Sequence, residues 1–242
     1  MKNLLSLSFL ILFASSHELI AQVFTKGQFP AGSRTNTIWH SGNNLGNSNS
    51  TLKEITEPEN INGSPFLFQE AIKAQLIFND PEEDAIELNL NYNAFADFMK
   101  IVDDTKANNA EIELLPRAWN FDVLMDGKRF RYINFTHNKE EINSYVEILE
   151  SFENNSFLAL RRSKEVSNPS SSRKSYTDVN NFYLINANGI AIKLENDDKR
   201  ILNDIPQDKK SILSSFISDK NVEFDDTYRG VKGVARYYAS LD

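Results

Sequence analysis

The stretch NFDVLMDGKRFRYINF, residues 120–135, decides the fold. Two β-prone runs flank Asp126–Gly127, and an Asp-Gly pair favours the positive φ angles of a type I′ turn, which joins antiparallel strands tightly. A β-hairpin is expected here. Working outward, SYVEILESF (144–152) and SFLALRRSK (156–164) form a second pair about Asn154–Asn155. FYLINANGIAIKL (182–194) is a third, turning at Asn188–Gly189. Upstream, AQLIF (74–78) precedes the acidic turn NDPEED (79–84). AIELNLNYNAF (85–95) then sets Ile86, Leu88, Leu90 and Tyr92 two apart, the period of a strand with one buried face. FMKIV (98–102) and EIELL (111–115) continue the pattern.

After Leu194 the period becomes helical. DDKRILNDI (197–205) predicts a short helix ended before Pro206. QDKKSILSSFISDK (207–220) places Ile212, Leu213, Phe216 and Ile217 on one stripe, with Asp208 as its N-cap. DDTYRGVKGVARYYASLD (225–242) spaces Val231, Val234, Tyr238 and Leu241 by three or four. Gly230 and Gly233 weaken that helix by about 1 kcal/mol each relative to Ala. The run GVKGVAR lacks both the spacing of a phosphate loop and a strand feeding it, so it reads as a close-packing site. Strands first and helices last give an α+β fold. Its antiparallel, hairpin-rich sheet, a curved sheet, sandwich or half-barrel, is followed by two or three C-terminal helices.

The chain has 242 residues, 40% apolar and 25% charged, and no cysteine. That excludes disulfide-stapled, zinc-thiolate and iron–sulfur classes. The N-terminus MKNLLSLSFLILFASSHELIAQ has a basic Lys2, an apolar run from Leu4 to Ala14 and a small Ala21, the order of a secretory signal peptide. Residues 1–21 are expected to be removed, residues 22–64, rich in Gly, Asn and Ser, to form an extended or flexible leader, and residues 65–242 to form a single domain. No later segment offers the roughly 20 apolar residues of a transmembrane helix. The expected location is exported, periplasmic or extracellular. Lys2 and Glu18 cancel, so the mature chain keeps the net charge of −8, which argues against nucleic acid as a partner.

Of three histidines, His40 and His137 survive cleavage. Neither a zincin HExxH nor a hydrolase GxSxG occurs. No catalytic residue, metal or cofactor is expected, and both histidines read as surface residues. Acidic pairs are plentiful, which keeps open an envelope-polymer hydrolase acting through facing carboxylates. The unusual charge feature is RRSKEVSNPSSSRKSYTD (161–178). It reads as a basic loop in which Arg161, Arg162, Lys164, Arg173 and Lys174 contact an anionic glycan, a lipid headgroup or an acidic patch on a partner. Strand aromatics Tyr92, Phe95, Phe130, Tyr132, Tyr145, Phe157, Phe182 and Tyr183 either fill the core or line an apolar ligand cavity.

GSPFLF (63–68), LNLNYNAFADFMKI (88–101), the run of Phe/Tyr hairpins and the terminal YYASL (237–241) together resemble an uncharacterised secreted family of Bacteroidota over residues 62–242. The chain departs from that pattern at Asn91, Phe95 and Lys100. The resemblance implies export and one continuous fold, and assigns no catalytic residue. The functional expectation is an exported, non-enzymatic protein that binds a partner (an envelope protein, for example) or an apolar ligand on its sheet. A hydrolase and a structural envelope protein are the alternatives.

Overall fold

The computed structural model describes residues 61–102, 113–118, 120–167 and 174–241. The expected signal peptide, most of the leader, His40 and Arg173 lie outside the described residues. The strands are β1 (Ile61–Asn62), β2 (Ile72–Phe78), β3 (Ile86–Asn93), β4 (Phe98–Ile101), β5 (Glu113–Leu114), β6 (Phe121–Met125), β7 (Lys128–His137), β8 (Glu140–Ser151), β9 (Phe157–Ser167), β10 (Lys174–Ile185) and β11 (Ala191–Leu194). Helices α1 (Gln207–Asp219) and α2 (Arg229–Ala239) follow. β1 falls in the last residues of the segment read as a leader.

The strands form one sheet in the order β1-β10-β9-β8-β7-β6-β2-β3-β4-β5, with β11 also on β10. Pairing is antiparallel except for β1 on β10. Asp126 and Gly127 take φ of 51° and 69°, the I′ geometry expected of Asp-Gly. A second such turn, Asn138–Lys139 with φ of 51° and 69°, joins β7 to β8 without any glycine.

Register assigns the side chains to two faces. Val123 lies opposite Phe130, Tyr132 opposite Tyr145, and Leu160 opposite both Glu147 and Phe182. On this first face Leu76, Leu90, Tyr92, Val123, Phe130 and Tyr145 form one buried core. The same face of β9 and β10, with Leu158, Leu160, Phe182 and Leu184, packs on Ile201, Leu213, Val231, Val234 and Tyr238 of the C-terminal region. The opposite face buries Phe135, Val146, Ala159, Tyr183 and Ile185 in a third cluster. The sheet curls in both directions. Lys164 N–H donates to the Ala94 carbonyl at 3.0 Å, bringing the end of β3 onto β9. Thr136 N–H donates to the Gly189 carbonyl at 2.8 Å, bringing the β10–β11 turn onto β7. The architecture is a curved, half-barrel sheet followed by two helices.

Three helical expectations need correction. Residues 197–205 form successive turns: the Asp197 carboxylate caps the first, accepting the Lys199 and Arg200 N–H groups at 3.1 Å, but the later bonds, Asn203 N–H to the Arg200 carbonyl and Ile205 N–H to the Leu202 carbonyl, span only three residues. Ile201 and Ile205 are buried nonetheless. The N-cap of α1 is Pro206, with no side-chain cap bond, and Asp208 sits in the first turn. Finally, α2 starts at Arg229, after a left-handed Tyr228 with φ of 62°. Thr227 and then Arg229 bond the Asp225 carboxylate there and hold its pKa down at about 2. Val231, Val234 and Tyr238 are buried as the spacing predicts, whereas Leu241 lies beyond the helix. The two glycines differ. A Cβ at Gly230 would stand 2.5 Å from the Glu223 carbonyl oxygen, while one at Gly233 would meet nothing within 4 Å.

Candidate partner-binding face

The described residues of the basic stretch form strands, not a loop. Arg161, Arg162 and Lys164 are on β9 and Lys174 opens β10. The reason is the long register between these strands, which pairs Ser167 with Ser175 and continues to Phe157 and Ile185. Strand alternation then sends neighbouring cations to opposite faces. Arg162, on the first face, ion-pairs with Glu147 at 2.6 Å, with both side chains largely buried. Lys164 pairs with the exposed Asp178 at 3.3 Å. These two cations are neutralised within the fold.

Arg161 projects from the other face. Its Nε donates to the hydroxyl of the fully buried Ser144 at 3.0 Å. Among the described residues no carboxylate lies within ion-pair distance of it. Register places it in a row across the sheet. Asp122 is opposite Arg131, Arg131 is opposite Val146, and Arg161 is opposite Asn181. The Glu147–Leu160 pair, the last between β8 and β9, sends Val146 and Arg161 to the same face.

At one end of this row the buried Asp122 carboxylate takes Arg131 through Nε at 2.5 Å and Nη2 at 2.8 Å. It also takes Arg129. The side chains of Arg129 and Arg131 remain 53% and 32% exposed. Three guanidiniums and one carboxylate therefore lie along this row, a local excess of positive charge on an acidic chain.

Behind the row, on the first face, lies a tyrosine cluster. The Tyr92 hydroxyl donates to Asp97 Oδ1 at 2.7 Å, and the Tyr145 hydroxyl donates to the Pro116 carbonyl at 3.1 Å. Arg117 donates to the Asp97 carbonyl at 2.8 Å and stands 5.9 Å from the Tyr132 ring centre. Burial, reinforced by the Asp97 charge, raises the pKa of both Tyr92 and Tyr145. These hydroxyls are neutral structural donors at physiological pH.

The aromatics proposed as cavity walls are mostly core. Tyr92, Phe130, Tyr145, Phe182 and Tyr183 are buried, Tyr132 and Phe157 are half-buried, and Phe95 is exposed. Two concavities adjoin α2, about 90 Å³ beside Ile190 and Tyr238 and about 270 Å³ beside Asn221 and Gly230. Both are below the usual range for small-molecule pockets, and neither is lined by the strand aromatics. His137 is not a surface residue. Its side chain is 15% exposed, 3.4 Å from Asp204, and its Nδ1 is 3.3 Å from the Ala191 carbonyl. It ties the end of β7 to β11. Among the described residues no three metal-binding side chains cluster, and no helix is long and apolar enough to cross a membrane.

No protein-family model, curated protein or solved structure matches the chain.

Sequence reasoning singled out Arg161 but missed its row-mates Asp122, Arg129 and Arg131. The signal was present. Asp122 sits four residues before Asp126–Gly127 and Arg131 four after Gly127, so a two-residue hairpin loop makes them direct cross-strand neighbours.

Proposed function

We propose that this chain is an exported, non-enzymatic protein that binds a protein partner on its sheet, with an acidic group of the partner seated at Arg161. The observation that carries the reading is the guanidinium of Arg161. It is anchored by a buried hydroxyl, has no carboxylate partner among the described residues, and lies two strands from Arg131, which with Arg129 shares one acid. Arginine in a fixed orientation pairs with carboxylates through two parallel bonds. Export is supported by the order of Lys2, the Leu4–Ala14 run and Ala21. The non-enzymatic reading is supported by the use of the acids inside the fold, since the buried Asp122 and Glu147 are held by arginines and the half-buried Asp97 by Tyr92.

A fluorescent hexaglutamate peptide tests the reading by anisotropy. Binding at about 20 mM salt should weaken at about 200 mM, as screening requires. Arg161→Gln should weaken it about tenfold, the worth of one charge-assisted pair, while Lys232→Gln on α2 leaves it unchanged. Equal affinity of Arg161→Gln and the unaltered protein would overturn the proposal.

A further inference from the structure

One flank of β10 is left open between two strands. β1 pairs with Lys174 and Ser175, and β11 pairs with Phe182 to Ile185. Residues 177–181 have β9 on one side and no strand of the described residues on the other. The pattern of hydrogen bonds tells which backbone groups face the open side. Asn186 N–H donates to the Ile190 carbonyl at 3.0 Å, so Asn186 points toward β11. Backbone direction alternates along a strand. Leu184 and Phe182 therefore also point toward β11, and Asn180 and Asp178 point out along the same flank. The odd residues face β9, consistent with the Ser163 hydroxyl donating to the Val179 carbonyl at 3.2 Å. Asp178 and Asn180 are exposed, and their four outward N–H and C=O groups have no partner among the described residues.

We infer that this flank accepts an extended segment of a protein partner, running antiparallel to β10 and carrying a Lys or Arg opposite Asp178. Residues 177–181 span about 17 Å at 3.4 Å per residue, and the added strand would continue the line of β11. Paired with Asp178 and Asn180, it makes four backbone hydrogen bonds, two in each closely spaced pair.

The chemistry of the strand follows from charge. Asp178 lies opposite Lys164 in the register, and its side chain is 68% exposed. A cation on the far side would complete a Lys164–Asp178–cation ladder across three strands, and opposite charges directly across a sheet stabilise pairing. The net charge of −8 also favours a basic segment over a second copy of this chain. This inference goes beyond the acidic contact at Arg161 and uses none of its residues.

The test is amide hydrogen exchange, residue by residue, on the purified chain. Alone, Asp178 and Asn180 should exchange at least about 100-fold faster than Val179 and Asn181, since opening of paired amides limits the latter. The probe is the capped heptapeptide Thr-Val-Thr-Lys-Thr-Val-Thr at about 2 mM, a concentration suited to a weak contact. It should slow Asp178 and Asn180 by about tenfold, and the same peptide with Glu in place of Lys should slow them less than half as much.

Slow exchange at Asp178 and Asn180 without peptide, whether concentration-dependent or not, overturns the inference, because the flank is then covered by a copy or by the chain itself. So does an absence of protection by the Lys peptide, or equal protection by the Glu peptide. Arg161→Gln leaves this readout unchanged, so failure here and failure of the acidic contact are separable.

Discussion

Gly230→Ala and Gly233→Ala should move stability in opposite directions, although both glycines lie three residues apart in the same helix. At Gly230 the added methyl would stand 2.5 Å from the Glu223 carbonyl oxygen and 2.8 Å from Phe224 Cδ1. A relaxed carbon–oxygen contact is about 3.3 Å and a carbon–carbon contact about 3.5 Å. The 223–224 segment must therefore retreat by about 0.7–0.8 Å. It has little room to do so. Phe224 packs into the cluster between sheet and helices, and Val222 N–H is tied to the Ile217 carbonyl at 3.0 Å.

Overpacking of this kind costs about 1–3 kcal/mol, against which the better helix propensity of Ala returns at most about 1 kcal/mol. Because the clash is with Glu223 backbone that has little room to move, the upper part of that range applies, about 2–3 kcal/mol, and the net expectation for Gly230→Ala is a loss of about 1–2 kcal/mol. At Gly233 nothing lies within 4 Å, so only the propensity term acts and the gain is about 0.8–1 kcal/mol. Urea unfolding followed by circular dichroism reads both. With m near 2 kcal/mol/M, the midpoint should fall by about 0.5–1 M for Gly230→Ala and rise by about 0.4–0.5 M for Gly233→Ala. A midpoint for Gly230→Ala equal to or above that of the unaltered protein would refute the argument, since the turn beneath α2 would have been shown to give way freely.

Asp122→Asn should cost about 3 kcal/mol, the lower end for removing one member of a buried ion pair, because Arg129 and Arg131 keep access to water; chemical denaturation measures it, and a loss under about 1 kcal/mol would assign the pair a surface role. Tyr92 and Tyr145 should stay neutral in the folded chain while exposed tyrosines ionise near pH 10. Their pKa is raised on folding, so their stabilising contribution is complete below about pH 10 and lost as pH rises above it, where the unfolded chain can ionise and the folded one resists; absorbance at 295 nm should show a delayed step coincident with unfolding. Lys139→Gly should stabilise by up to about 1 kcal/mol by relieving the left-handed φ of 69°, measured by thermal or urea midpoint, and a destabilised variant would show that the turn is not limited by that strain.

The hairpins were legible where a turn carried its own chemistry. Asp126–Gly127 and Asn188–Gly189 announce positive φ, and both Gly127 and Gly189 adopt it. Asn138–Lys139 makes the same kind of turn with a lysine in the strained position, so the reading placed the start of β8 at Ser144 and missed residues from Glu140 onward. The end of β9, beyond Lys164, was lost for a different reason. Its pairing with β8 ends at Leu160, and beyond that point polar side chains occupy both faces. Arg162 and Lys164 lie on one and Arg161 and Ser163 on the other, so no apolar alternation marks the strand. The acids that neutralise Arg162 and Lys164 are 15 and 14 residues away, at Glu147 and Asp178. Spacing along the chain gives no hint of them, because cross-strand distance is set by register alone.

The open flank on β10 and the isolated charge of Arg161 have one structural origin. A sheet that curls one way around Tyr92 and Phe130 and the other way around Phe135 and Tyr183 must share its long strands between two curved halves. β9 leaves β8 after Leu160 and meets Ala94 through Lys164. β10 follows it by register. The first part of β10 then lies beside β1 and its last part beside β11, and β11 is held by the closure at Thr136. One short strand cannot follow both curvatures, so residues 177–181 are left between them. The same separation leaves Arg161 without a neighbour from β8 beyond Ser144 and Val146, where a compact sandwich would have supplied an apolar layer. The two proposed partner-binding features thus fall where the two curls meet, and a substitution that flattened one curl should change both.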